Sequence, residues 1–197
     1  MLVRMLSKLK IGIFSLFFLN CIFAQPYVLE NQHQLVEKTT GFIEILSDEV
    51  YEKTGVRMHV VALEGLNGVN LQEKEQTYLE KLKAPYVLLF FVKAEKKIDI
   101  LVSQDIEKVF DKKEVYWDYI VPLIPTSDKE LNSQRISAFL LNGLVDIADR
   151  IAEYYQVQLE HSFPKQNKGI QIAVRTALYV MLFVLLILFV FVYLRRK

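Results

Sequence analysis

The sequence predicts an α/β domain, a βαββ mixed central sheet flanked by helices, followed by one C-terminal transmembrane helix. Four observations carry this reading. Tyr86–Val92 is seven apolar residues in a row with no helical period, which suits a strand buried on both faces. After the polar turn Lys93–Lys97, Ile98, Ile100 and Val102 alternate with Asp99 and Leu101, so the chain returns as a second strand. Upstream, a β-rich run at Val56–Leu63, a helical segment and then Tyr86–Val92 make a βαβ unit, whose strands should be parallel. Finally, Thr176–Leu194 contains no charge, Pro or Gly and matches the thickness of a hydrocarbon core.

Taken in order, the chain begins with Arg4, Lys8 and Lys10, then the apolar run Ile11–Ala24, then Ile22-Phe23-Ala24 before Gln25. That is the pattern of a signal peptide over residues 1–24. An uncleaved anchor is the alternative, but the run is short of the ~20 apolar residues a span needs. Cys21 is the only cysteine. The polar Asn20 before it argues against lipidation, and the mature domain would hold neither a disulfide nor a cysteine nucleophile.

Residues 25–163 form the predicted domain. Leu35, Thr39, Phe42, Ile43, Leu46 and Val50 recur at helical spacing, so Asn31–Lys53 reads as an amphipathic helix, with Gly55 just past its end. The strand Val56–Leu63 follows, and Gly65 and Gly68 frame a loop. Asn70 stands where a cap is needed for a helix lined by Leu71, Glu75, Tyr78, Leu79 and Leu82. Ala84-Pro85 stops it, and the central hairpin begins. Glu114–Ile124 reads as a short helix ended by Pro122 and Pro125. Ser127-Asp128-Lys129-Glu130 has capping-box spacing. Ile136, Leu140, Gly143, Leu144, Ile147, Ile151 and Tyr155 mark a long helix to about Gln158. A linker at 164–175 leads to the span at 176–194 and a basic tail at 195–197. Basic residues flank the span on both sides, so the signal peptide sets the orientation: tail in the cytoplasm, domain on the extracytoplasmic (periplasmic) side of the cell membrane.

Charge narrows the function classes. Every Asp and Glu lies between Glu30 and Glu160, and nine of the 24 Lys and Arg lie outside that span, leaving 15 against 23 acidic residues, near −8. An acidic domain repels phosphate backbones, so nucleic acid is an unsuitable partner. The candidate chemistry sits at the hairpin exit, where Asp105, Glu107 and Asp111, with Asp118 and Glu30 further off, could hold a hard cation, calcium or magnesium. A solvated acidic surface interleaved with Lys108, Lys112 and Lys113 is the plainer alternative. His33 and His59 lack the spacing of a metal cluster or triad, and no P-loop, dinucleotide fingerprint or nucleophile elbow is present. Trp117, with Tyr116 and Tyr119, reads either as a docking patch or as packing of a short helix.

The segments KTGVRMHVVALEGL (Lys53–Leu66), YVLLFFVKAEKKIDILVSQDIEKVF (Tyr86–Phe110) and YIVPLIPTSDKE (Tyr119–Glu130), in this order, resemble the TPM domain family of extracytoplasmic proteins over about Val28–Tyr155. Ile106-Glu107 matches that family's apolar-Glu pair and Asp111 approximates its Asp, while Ser103 and Asp105 stand where glycines are usual. The resemblance implies a membrane-tethered accessory protein that binds and supports a membrane protein complex. Its alternative implication is a low-specificity, divalent-metal-dependent acid phosphatase.

Overall fold

The computed structural model describes residues 26–162 and 176–186. The expected signal peptide, the linker over 164–175, the end of the expected span from 187 and the basic tail lie outside them. The described residues fall into two units, one ending at His161 and one beginning at Ser162.

The first unit contains β1 (Val28–Asn31), α1 (Glu37–Thr54), β2 (Arg57–Leu63), α2 (Leu71–Leu79), β3 (Tyr86–Val92), β4 (Lys97–Val102) and α3 (Ser133–Tyr154). Between β4 and α3 the chain makes an α turn at Lys112–Glu114, a π turn at Val115–Ile120 and a 3-10 turn at Val121–Leu123. The sheet runs β1-β2-β3-β4, parallel between β1, β2 and β3 and antiparallel between β3 and β4.

β3 is interior, as the apolar run requires, and its side chains alternate between two cores. Val87, Leu89 and Phe91 meet Met58, Val60 and Ala62 of β2 and the apolar stripes of α1 and α3. Leu88, Phe90 and Val92 meet Val61, Leu63, Leu66 and Tyr78 on the α2 side. Three layers result: α1 and α3, the sheet, then α2 alone on a smaller core. Gly55 is left-handed, φ 76°, and its N–H reaches Tyr51 O at the end of α1. Asn70 Oδ1 accepts from Gln72 N at 2.9 Å, as the cap of α2.

Three expectations need correcting. The sheet has a fourth strand, β1, where a helix was expected to start. Asn31 ends that strand and its Oδ1 accepts from Gln34 N and Leu35 N, both at 2.9 Å. This side-chain turn competes with a helical start and delays α1 to Glu37. Ser127 makes no capping bond and precedes only a 3-10 turn at Asp128–Glu130. The cap of α3 is Asn132, whose Oδ1 accepts from Arg135 N at 3.0 Å. That helix also ends at Tyr154, before Gln156 turns left-handed with φ 57°.

The π turn packs on α3 by way of Gly143. A Cβ at Gly143 would lie 2.5 Å from Cγ1 of Ile120, which is fully buried. Arg150 ties the same surfaces, donating to Asp146 at 2.6 Å and to Glu114 at 2.8 Å. Gly143→Ala is therefore expected to destabilise the domain by about 1–3 kcal/mol through overpacking. Gly143→Ala with Ile120→Ala should cost less than the two single changes added together. Denaturant melts decide it, and an unchanged midpoint for the single Gly143 variant would mean the π turn moves aside freely.

In the second unit, residues 176–186 form a helix whose apolar side chains are exposed. No helix among the described residues is long and apolar enough to cross a membrane.

Candidate functional site

The acidic segment follows β4, and β4 runs antiparallel to its one neighbour, β3. Its exit therefore lies beside the start of β3, where Ser103 N donates to Tyr86 O at 3.1 Å and Tyr86 N donates to Ser103 Oγ at 3.1 Å. This is the sheet edge opposite the carboxyl ends of the parallel strands, where open α/β sheets usually bind ligands. Ile106 and Phe110 plug into the core and turn Asp105 and Glu107 outward into solvent. Asp111 accepts from Lys113 N at 2.8 Å and starts the helical turn. Asp118 is exposed on the π turn. Glu30 lies on β1, with β2 and β3 between it and β4. Among the described residues, no three His, Cys, Asp or Glu side chains are grouped to hold a metal ion.

The carboxyl ends of β1, β2 and β3 carry a polar network instead. Glu64 N donates to Gln32 Oε1 at 2.8 Å, Gln34 Nε2 donates to Gln32 O and to Glu64, and Lys93 Nζ meets Glu64 at 3.2 Å. Gln34 is buried and its Oε1 has no partner. His33, Asn67 and Lys96, in the three loops at this edge, are all left-handed without being glycine.

Under α2 lies a row of acids. Tyr78 OH donates to Glu30 Oε2, and Gln32 Nε2 donates to Glu30 Oε1 at 2.6 Å. Burial raises the Glu30 carboxyl, but these bonds, with Lys74 and Lys81, outweigh it and hold the group below its usual range. Glu75, one turn before Tyr78, has no such help. It is buried, and its Oε1 has no hydrogen-bond partner. Burial first, then the Asp99 carboxyl, pushes it up to about 7. Its place in the apolar row of α2 was the one sequence signal for this burial; Asp99 gave none.

Two other buried groups are structural in effect. Glu49 of α1 accepts from Lys53 Nζ at 2.7 Å and from the backbone N–H groups of Glu160 and His161, pinning the chain that follows α3 onto α1. Burial raises this carboxyl, but its donors win and bring it down to about 2. His59 is 1% exposed on β2, beside the Tyr27 ring and the backbone of Pro26, and neither ring nitrogen makes a well-aligned hydrogen bond. Trp117 is 62% exposed on the π turn, edge-on to Tyr116, while its neighbours Val115 and Ile120 are fully buried.

The TPM domain family model matches residues 28–121. No curated protein matches this chain. The N-terminal domain of a protein from P. gingivalis is similar in structure, with TM-score 0.55 and 12% identity, over 71% of this chain and 90% of that one. The N-terminal domain of the cg2496 protein from Corynebacterium glutamicum gives TM-score 0.48 and 15% identity, over 74% of this chain and 91% of that one. At such identities the likeness of the first speaks to the fold, the mixed four-stranded sheet flanked by helices. The matched segment opens at β1, takes in the whole sheet and ends as the π turn closes, so the part of this chain that carries the sheet is similar to the TPM domain family.

Proposed function

We propose that this TPM-like domain is a membrane-tethered binding module, held on the extracytoplasmic side by residues 176–194, that supports the assembly or upkeep of a membrane protein complex. The observation that carries the reading is Trp117. A large aromatic held 62% exposed on a turn anchored by the fully buried Val115 and Ile120 costs little further ordering when a partner covers it. The charge-free run Thr176–Leu194 and the basic-then-apolar N-terminus support the tether. A photo-crosslinking residue at position 117 is expected to capture a membrane protein that the same residue at exposed Lys38 does not. Trp117→Ala should deplete that protein from the material co-purifying with the full chain. An unchanged co-purifying set, or a chain absent from membrane fractions, would sink the proposal. The orientation has its own check. A reporter fused after Lys197 should work only if it is active in the cytoplasm, and activity of a periplasm-dependent reporter there would reverse the topology.

A second reading, the divalent-metal-dependent phosphatase, is favoured by the exposed carboxylates of Asp105 and Glu107 in one turn. Calcium is the better candidate than magnesium, since its loose geometry tolerates loop carboxylates. Asp111 would have to leave Lys113 N to join them. Millimolar calcium should then raise the melting temperature of the purified chain, by binding the folded state alone. Asp111→Asn, which can still cap the turn but lacks the charge, should abolish the gain. Equal melting with calcium and with chelator removes the metal from this segment.

A further inference from the structure

We propose that the outer edge of β4 pairs with β4 of a second copy of this chain, antiparallel and centred on Ile100, so that the two four-stranded sheets run on into each other.

The ladder decides which backbone groups face outward. Ser103 N donates to Tyr86 O at 3.1 Å, while Lys93 N turns the other way, to Leu63 O of β2 at 3.0 Å. Bonding alternates along an antiparallel ladder, so Lys97, Asp99 and Leu101 exchange bonds with Val92, Phe90 and Leu88 of β3. The N–H and C=O groups of Ile98, Ile100 and Val102 therefore point away from β3. Among the described residues β4 pairs with β3 alone, and no turn takes up these three N–H groups. An open row of this kind is a template for another strand.

The two edges of the sheet differ. At β1 the Glu44 carboxylate accepts from Tyr27 N at 3.0 Å and from Val28 N at 2.9 Å. That strand has four residues, and its register shifts between Val28 and Glu30. Short length, a shift in register and occupied N–H groups all discourage pairing. β4 has six residues in unbroken register, without Pro or Gly. Ile98, Ile100 and Val102 lie on the face it shares with α1 and α3, and Leu101 lies on the other.

Charge selects the partner and the register. The chain enters β4 through Lys97 and leaves it towards Asp105 and Glu107, all exposed. A parallel pair of β4 strands would set base beside base and acid beside acid. An antiparallel pair about a two-fold axis brings Lys97 of each copy towards Asp105 of the other. Two such registers keep most of the strand paired. One sets Asp99 directly opposite Asp99 of the second copy, and like charges so placed repel. The other sets Ile100 opposite Ile100, Ile98 opposite Val102 and Asp99 opposite Leu101. It aligns β-branched side chains on one face and opposes no like charges.

Cysteine cross-linking of the full chain, purified in detergent, tests this. Cys21→Ala leaves any introduced cysteine alone. In the Ile100-centred register the two Cα atoms of residue 100 lie about 5.5 Å apart, within disulfide reach. Those of residue 99 lie about 8 Å apart, beyond it. Under mild oxidation Ile100→Cys should therefore form a linked dimer about tenfold or more in excess of Asp99→Cys. Adding Ile98→Pro, which removes an outward N–H and spares the β3 ladder, should abolish the link. If Ile100→Cys fails to fold, sedimentation decides: the natural chain should be dimeric at concentrations where Ile98→Pro is monomeric. The pairing is overturned by Ile100→Cys that folds and stays unlinked, the result expected if the edge instead takes an extended segment of another protein. It is equally overturned by Asp99→Cys linking as well as Ile100→Cys, by linking that survives Ile98→Pro in a folded chain, or by equal sedimentation of the natural chain and Ile98→Pro.

Discussion

Leu89→Asp is expected to abolish cooperative folding. Leu89 is fully buried at the centre of β3, between Val60 of β2 and Ile100 of β4, on the face that meets α1 and α3. Removing the leucine forfeits about 1.5–3 kcal/mol of burial. An uncompensated charge in the same place costs about 3–5 kcal/mol more, or forces the carboxyl to take up a proton. The sum reaches the ~5–15 kcal/mol that holds a typical domain together. Leu89→Val, with the charge left out, should cost only about 1–2 kcal/mol. Circular dichroism on heating separates the two. A soluble Leu89→Asp chain with a sharp melt would mean that β3 is not the centre of the core.

The next largest effect is expected from acid acting on His59. Burial, the chief cause, and the nearby Arg57 hold its pKa down to about 4 from an ordinary 6.5, against weaker help from the Pro26 and Tyr27 backbones and Glu44. Between those values the unfolded chain takes up the proton and the folded domain does not. Stability from this group is thus complete above about 6.5 and falls as the pH drops towards 4, by up to about 3 kcal/mol. Glu75 works the other way. Its raised pKa means the folded domain keeps a proton the unfolded chain has lost, so stability from it declines as the pH climbs from the ordinary carboxylate range to about 7. The two slopes overlap and partly cancel in the natural chain. They separate in variants: relative to the natural chain, His59→Leu should gain stability steadily as pH falls from 7 to 4.5. A constant difference across that range would show that His59 does not titrate against burial.

Much of the fold was legible because it rests on local periodicity. The run Tyr86–Val92 has no amphipathic period, and a strand covered on both faces needs none. The stripe Thr39, Ile43, Leu46 and Val50 marks the buried side of α1 even though the start of that helix was placed six residues early. β1 was not legible. Its four residues are each only half-buried, and its stability comes from pairing with β2 across the intervening helix, which no four-residue pattern records. Ser127 and Asn132 illustrate the same limit at smaller scale. Both sit before acceptable helical sequence, and backbone geometry alone decides which side chain reaches an N–H.

The candidate site divides along the same line. Composition and order determined by themselves that the domain is acidic, that Asp105, Glu107 and Asp111 crowd the exit of the hairpin, and that Trp117 lies amid aromatics on a short helical segment. Only the tertiary structure decided which carboxyl groups meet. The antiparallel turn of β4 carried the exit acids to the edge away from the carboxyl ends of the parallel strands and left Asp105 and Glu107 in solvent. The register of β3 with β4, and the seat of α2 above them, set Glu75 within the field of the Asp99 carboxyl, 24 positions away in the chain. Glu49 and His161, 112 positions apart, meet for the same kind of reason. Whether a carboxyl is a surface charge or a buried acid depends on the water left around it, and that is set by chain crossings that no local spacing encodes.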